Sequence, residues 1–282
     1  MKITDKKIVL NNGYEMPLFG LGTYRMKDEG ETKAAIIFAL QSGYRHIDTA
    51  LVYQNQKVVA QAIKESGIDR KEIFVTSKIW ISALSKEDAL RQFNIIMEEL
   101  ELEYLDLCLV HWYSEFALDI YQALEEVYKE GKVKAIGVSN FMVDQLEEFL
   151  PKVEIAPAVN QVELNPLLQH SELIKFSKEK GIVITSYQTL MSGEIGNLPT
   201  IVEIAEKYKV SPAQVALKWA LSLGVIVIPK SVTNSRIIEN MDLDGFELND
   251  QDMKEIAKLD EHKYGNADPY VYPVEYLKTL NK

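Results

Sequence analysis

Short apolar runs alternate with amphipathic stretches along the whole chain. The runs Leu18–Thr23, His46–Asp48, Ile73–Lys78, Leu105–His111, Val133–Val138, Ala158–Gln161, Ile182–Ser186 and Val225–Ile228 are mostly rich in Val, Ile and Leu. They do not alternate strictly between polar and apolar, which is the pattern of strands covered on both faces. Helical signals fill the gaps between them. Ser85 suits the cap of a helix over Lys86–Leu100, with Asp88 three positions on and Leu90, Phe93, Met97 and Leu100 along one face. Ser211-Pro212-Ala213-Gln214 reads as a capping box with proline in the first helical position, followed by Val215, Trp219 and Leu223 on one face and a stop at Gly224. Gly43, Gly131 and Gly181 likewise stand just past helical sequence and just before a strand.

Strands separated by helical sequence pair in parallel through helical crossovers, and eight is the number that closes a barrel. The pattern therefore predicts an α/β fold, a (β/α)8 TIM barrel, with an open doubly wound sheet as the competing architecture. Ile8–Leu10 and Tyr14–Met16 flank Asn11-Asn12-Gly13 and predict an N-terminal β-hairpin ahead of the barrel. No linker-like tract divides residues 1–282, so a single domain is expected. The tail from Lys263 onward is rich in Tyr and Pro and reads as a C-terminal loop over the barrel.

Composition narrows the classes of function. With 42 acidic and 31 basic residues the formal net charge is −11, which argues against a nucleic-acid surface. Cys108 is the only cysteine, so no intrachain disulfide forms, and its apolar run suggests burial as a small hydrophobe. His46, His111, His170 and His262 are scattered, with no spacing that suits a metal site. Met1–Asn11 lacks the core of a signal peptide, and no run reaches the roughly 18 apolar residues of a membrane span. A reduced cytoplasmic protein is expected, and without a dimerisation signal a monomer is the default.

In such barrels the C-terminal ends of the strands carry the chemistry. Read in order, those ends are Thr23-Tyr24, Asp48, Lys78, His111, Ser139-Asn140, Gln161, Tyr187 and Lys230-Ser231. An ammonium at Lys78 is costly to bury without a counter-charge, and Asp48 on the neighbouring strand can supply one. Tyr53 follows Asp48 by five residues, within reach of one short loop. A cation beside a tyrosine lowers its pKa and makes it a better proton donor near neutrality. Taken singly, each has a plainer reading: a structural ion pair for Asp48–Lys78, packing for Tyr53, hydrogen-bonded scaffold for His111. Their convergence on one rim favours chemistry.

Pro229-Lys230-Ser231-Val232-Thr233-Asn234-Ser235-Arg236 holds two cations and three hydroxyl residues without a carboxylate, and a helix begins within it. Such a segment suits a phosphate, although a basic loop can equally be solvated surface. Gly20-Leu21-Gly22 lacks the third glycine of a dinucleotide fingerprint, because position 25 is Arg25. A Rossmann site is excluded.

Gly43-Tyr44-Arg45-His46-Ile47-Asp48-Thr49-Ala50 followed by Tyr53 resembles the signature of the aldo-keto reductase family. So do Thr76-Ser77-Lys78-Ile79-Trp80, Val110-His111-Trp112, Ile136-Gly137-Val138-Ser139-Asn140-Phe141 and Ile228-Pro229-Lys230-Ser231, in order from the hairpin to about Leu259. The resemblance implies an NADPH-dependent reductase of aldehydes, dicarbonyls or ketones, keto-sugars included. It implies a catalytic tetrad of Asp48, Tyr53, Lys78 and His111, in which Tyr53 protonates the carbonyl oxygen. Tyr187 is implied to stack on the nicotinamide, with Ser139, Asn140 and Gln161 on its carboxamide and Thr23 nearby. Leu190 and Ser192 are implied along the pyrophosphate, Lys230, Ser231, Thr233 and Arg236 at the 2′-phosphate, and Glu239 with Asn240 at the adenine. Tyr24, Trp80 and Trp112 are implied to line the substrate pocket.

The chain departs from the family pattern in places. Tyr187-Gln188-Thr189-Leu190 replaces the usual Tyr-Ser-Pro-Leu, Tyr113 replaces a common proline, and Tyr24 stands where many relatives have tryptophan. The loop after Trp112 is short, which predicts a more open pocket. A cofactor-binding barrel with a regulatory or structural role is the competing function, but it gives Tyr53 and Lys78 no joint task.

Overall fold

The computed structural model describes residues 2–280. A hairpin of β1 (Lys7–Val9) and β2 (Glu15–Pro17) precedes eight parallel strands: β3 (Leu21–Gly22), β4 (His46–Asp48), β5 (Phe74–Ile79), β6 (Leu105–Val110), β7 (Val133–Ser139), β8 (Val159–Glu163), β9 (Val183–Tyr187) and β10 (Ile226–Val227). The strands lie side by side in chain order. The sheet then closes on itself, because Phe19 and Val227 form a parallel bridge and Val227 N–H donates to Leu18 O at 3.1 Å. Closure disposes of both sheet edges and excludes the open doubly wound alternative.

The crossovers are helical: α1 (Glu29–Gln41), α2 (Gln56–Glu65), α3 (Lys86–Leu100), α4 (Ala117–Lys129), α5 (Val143–Phe149), α6 (Ser171–Glu179), then both α7 (Pro199–Tyr208) and α8 (Pro212–Ser222) between β9 and β10. After the last strand come α9 (Asn234–Met241), α10 (Asp250–Ala257) and α11 (Tyr272–Leu280). Local chemistry sets the boundaries. Ser85 Oγ accepts the Asp88 N–H at 3.1 Å, and Ser211 with Gln214 forms the reciprocal capping box. The buried face of α3 is Ala89, Phe93, Ile96 and Leu100, one step round from the expected one, and Leu90 and Met97 are only half-buried.

Two apolar layers hold the barrel. Leu107 and Leu109 point inward to a cluster with Phe74, Ala135, Val159 and Ile226, and the hairpin contributes Leu10 and Met16 to it from below. Between them Cys108 faces the larger cluster under the helices, and burial pushes its thiol pKa up, as suits an inert small hydrophobe. The first strand is shorter than the apolar run Leu18–Thr23 suggests, because Leu18 and Phe19 meet β10 through the closing bridge alone. No helix among the described residues is long and apolar enough to cross a membrane.

The C-terminal expectation needs correction. The tail does cross the barrel mouth as a loop, but from Tyr272 it is helix α11. Pro273 reads as a helix breaker, yet it lies in the first turn, where no intrahelical N–H bond is due.

Candidate active site

The strand ends bring the four proposed catalytic side chains together. Lys78 is fully buried on β5 and donates to Asp48 Oδ1 at 2.7 Å and to Thr49 O at 2.8 Å. The loop after β4 winds into a single 3-10 turn, Leu51–Tyr53, which brings the Tyr53 ring to 5.1 Å from Lys78 Nζ. His111, just past β6, sets its ring edge-on to Tyr53 with centroids 6.0 Å apart. Asn55 fixes the turn that carries Tyr53. Its amide donates to Thr23 O at 3.0 Å and Met26 O at 3.3 Å, while its Oδ1 accepts from Thr49 Oγ1 at 2.9 Å.

Electrostatics follow from burial. Desolvation pulls the Lys78 pKa down and Asp48 opposes that pull. Desolvation first, then the Lys78 charge, pushes His111 well below the usual histidine range, so its imidazole is neutral at physiological pH. The expectation for Tyr53 is reversed. Burial, and after it the charge of Asp48, raise the phenol well above the usual tyrosine value rather than lowering it. Tyr53 therefore carries its proton throughout the neutral range. The positive charge of Lys78 is available to oppose the negative charge that grows when that proton leaves.

The residues expected around the nicotinamide form one connected network beside this group. Gln161 donates to Asp48 Oδ2 at 2.7 Å, Ser139 Oγ donates to Gln161 O at 2.8 Å, and Asn140 Nδ2 donates to His111 O at 3.0 Å. Tyr187 OH donates to Asn140 Oδ1 at 2.7 Å. Thr23 is buried, with its hydroxyl donated to Asp48 O at 3.0 Å. Leu190 and Ser192 lie apart from the network, in the irregular segment after β9, where Ser192 is exposed and donates to Gln188 Oε1 at 3.0 Å.

The segment after β10 reaches the same rim. Gly22 N–H donates to Pro229 O at 3.3 Å, and a Cβ at Gly22 would sit 2.8 Å from Ile228 O, so the close approach requires glycine. Lys230, Thr233 and Arg236 are exposed, Ser231 and Asn240 are buried, and Glu239 is half-buried. Helix α9 starts after Thr233 without a side-chain cap, and the exposed cations Lys230 and Arg236 stand on either side of that start. A cationic helix start of this kind fits a phosphate.

Aromatic rings wall the space above Tyr53. Tyr24 lies 5.1 Å from the Tyr53 ring, Trp80 stands edge-on to His111 at 4.9 Å, and Trp112 stacks parallel to His111 at 6.4 Å. Beside the short loop after Trp112 a second element reaches this wall, while Tyr24 stays exposed. That element is helix α11: Tyr272 lies 4.9 Å from the Trp112 ring, and Trp80 Nε1 donates to Tyr276 OH at 2.9 Å. Tyr272 and Tyr276, which the sequence reading missed, meet the rings of Trp112 and Trp80. Their spacing of four, one helical turn, was the available signal.

Comparison with known proteins agrees with this arrangement. Residues 18–261 match the model of the aldo/keto reductase family. Glyoxal reductase of Bacillus subtilis is 44% identical over 93% of this chain and 95% of its own length. Methylglyoxal reductase of Salmonella typhimurium is 39% identical over 93% and 96%. Among solved structures, an aldo-keto reductase from a Medee basin deep-sea metagenome library superposes with a TM-score of 0.88, at 43% identity, over 91% of this chain and 96% of that one. An aldo-keto reductase of Bombyx mori in complex with NADP gives the same TM-score of 0.88 at 29% identity, covering 93% and 95%. The chain belongs to the aldo/keto reductase family, as an NADPH-dependent carbonyl reductase.

Proposed function

We propose that this chain reduces small aldehydes and dicarbonyls to alcohols, with Tyr53 as the proton donor. One observation carries the reading: Tyr53, His111 and the buried Lys78–Asp48 pair converge beneath an aromatic wall at the C-terminal mouth of the barrel. Bound NADPH supplies the hydride. Tyr53 gives its proton to the carbonyl oxygen as negative charge develops there, and the Lys78 cation opposes the charge left on the phenol. His111, neutral and fixed among Trp80, Trp112 and Tyr53, orients the carbonyl oxygen toward the tyrosine.

The residues present fit the cofactor. Ser139, Asn140 and Gln161 would hold the carboxamide and Tyr187 would stack on the ring. Leu190 and Ser192 would follow the pyrophosphate, with Glu239 and Asn240 at the adenine. Lys230, Ser231, Thr233 and Arg236 supply the cations and hydroxyls that a 2′-phosphate requires. Arg236→Ala is expected to weaken NADPH by about 1.5–3 kcal/mol, the scale of a hydrogen bond to a charged group, and to change NADH little. Fluorescence titration of both cofactors checks this. Equal loss with both would remove Arg236 from the 2′-phosphate site.

Substrate size follows from the cover that Tyr272 and Tyr276 lay over Trp80 and Trp112. Relatives named for glyoxal and methylglyoxal support the same choice. In a steady-state panel followed by NADPH oxidation, glyoxal, methylglyoxal and short or aromatic aldehydes are expected to give the highest kcat/KM. A strong preference for bulky rigid ketones would overturn this assignment. The same reading takes the chain as one domain, acting as a cytoplasmic monomer on a small-molecule partner, and light scattering that gave a dimer mass would correct the last point.

A further inference from the structure

Glu163 ends β8 at the barrel mouth, 2% exposed, and the mechanism above gives it no task. A buried carboxylate demands compensation. Here that comes from backbone amides of the C-terminal segment: the Gly265 N–H donates to Oε1 at 2.8 Å and the Asn266 N–H to Oε2 at 3.0 Å. Asn165 Nδ2 adds a longer bond to Oε1 at 3.4 Å. The fit at Gly265 is close, since a Cβ there would lie 2.9 Å from Glu163 Oε1. Other ties on the segment are of a different kind. Tyr264 OH meets Met142 Sδ at 3.6 Å, and Tyr270 OH donates to the exposed Asp144 carboxylate at 2.6 Å. Glu163 holds the segment from inside the rim, next to Tyr187, its register partner on β9.

We propose that Glu163 is a positioning residue for carbonyl binding: its carboxylate fastens Gly265 and Asn266 to the rim and thereby holds Tyr272 and Tyr276 over the pocket. The chain of cause runs through backbone. With Gly265 and Asn266 fixed, the short span to Tyr272 delivers α11 to the Trp80 and Trp112 rings. With the clasp released, α11 keeps its ring packing, the Trp80–Tyr276 bond and the exposed Tyr270–Asp144 tie, and peripheral elements held in that way open locally without global unfolding. The effect on carbonyl affinity rests on the reductase reading above, whereas the docking of the segment does not.

Hydrogen exchange read by mass spectrometry on the full chain tests the docking, and kinetics with methylglyoxal test its consequence. Glu163→Gln puts an NH2 group opposite one of the two backbone donors. Peptides within residues 264–280 should then exchange about ten-fold faster or more, the scale of a lost hydrogen bond to a charged acceptor, while those from β6 and β7 stay as in the wild type. KM for methylglyoxal should rise about ten-fold on the same scale, with kcat changed far less and the NADPH Kd unchanged. Gly265→Ala leaves the carboxylate intact and crowds it from the other side, so it should give the same pattern even where Glu163→Gln fails to fold. Wild-type exchange over 264–280 in both variants would overturn the clasp. Faster exchange with an unaltered KM would overturn the positioning role. Faster exchange in a protein whose wild type reduces no carbonyl would support the clasp and sink the reductase reading instead.

Discussion

Tyr53→Phe is expected to slow carbonyl reduction by at least about 100-fold while NADPH binds as in the wild type. The phenyl ring keeps the packing against Tyr24 and His111, whose centroids lie 5.1 and 6.0 Å away, so what disappears is the proton donor. Hydride arriving at a carbonyl carbon leaves negative charge on oxygen, and a donor already aimed at that oxygen lowers the barrier. The cofactor contacts proposed above involve other residues, hence the separation of turnover from cofactor affinity. The pH dependence has a defined sign. Tyr53 is held above its ordinary value of about 10, so its acid form is lost only as pH rises through that raised value. His111 is held well below its ordinary value, so it stays neutral unless pH falls through that lowered value. Between about pH 6 and 9, kcat/KM for the carbonyl should therefore be nearly flat. Single-turnover rates for Tyr53→Phe that match the wild type would eliminate the proposed proton donor.

The legible parts of this protein are those in which local chemistry and global position coincide. A parallel strand buried on both faces shows as a continuous apolar run, so β5 to β9 begin and end within two residues of the runs that predict them. Asp48, Lys78 and His111 were legible because each is a polar group closing such a run, where an isolated charge in an apolar setting demands a partner. Ser85 and Ser211 were legible because a cap is made within four residues. Contacts between distant segments leave no such trace. The Gln161 amide on Asp48 joins residues 113 apart, and Tyr276 on Trp80 joins residues 196 apart. Helix α11 was missed because its Tyr and Pro residues read as loop, although Tyr272, Tyr276 and Leu280 recur every four residues; the Trp80 and Trp112 rings that they meet come from distant segments. The direction of the Tyr53 shift was misread because proximity to a cation was visible in the sequence, while the depth of burial and the reach of Asp48's charge were not.

Lys78→Met is expected to impair reduction by about 10²- to 10³-fold, the scale of losing one preorganised electrostatic partner. It is also expected to cost about 3–5 kcal/mol of stability, because it breaks a buried ion pair from one side. The two losses have different causes, and a second substitution separates them. Lys78 and Asp48 are both buried and bonded at 2.7 Å; desolvation offsets much of the attraction within such a pair, whereas a single buried charge left without its partner has nothing to offset that cost. Removing both charges should therefore be far cheaper than removing one. In Lys78→Met alone, the Asp48 carboxylate remains buried with the Gln161 amide at 2.7 Å and no cation. Adding Asp48→Asn neutralises it, and the double variant should recover most of the lost stability in urea unfolding. Its activity should not recover, because no cation remains to oppose the charge left on Tyr53 when the proton departs. A pair that served only structure would behave otherwise: with stability restored, the double variant would reduce methylglyoxal at close to the wild-type rate. That outcome would take Lys78 out of the chemistry and leave Tyr53 without the partner on which the proposed proton transfer depends.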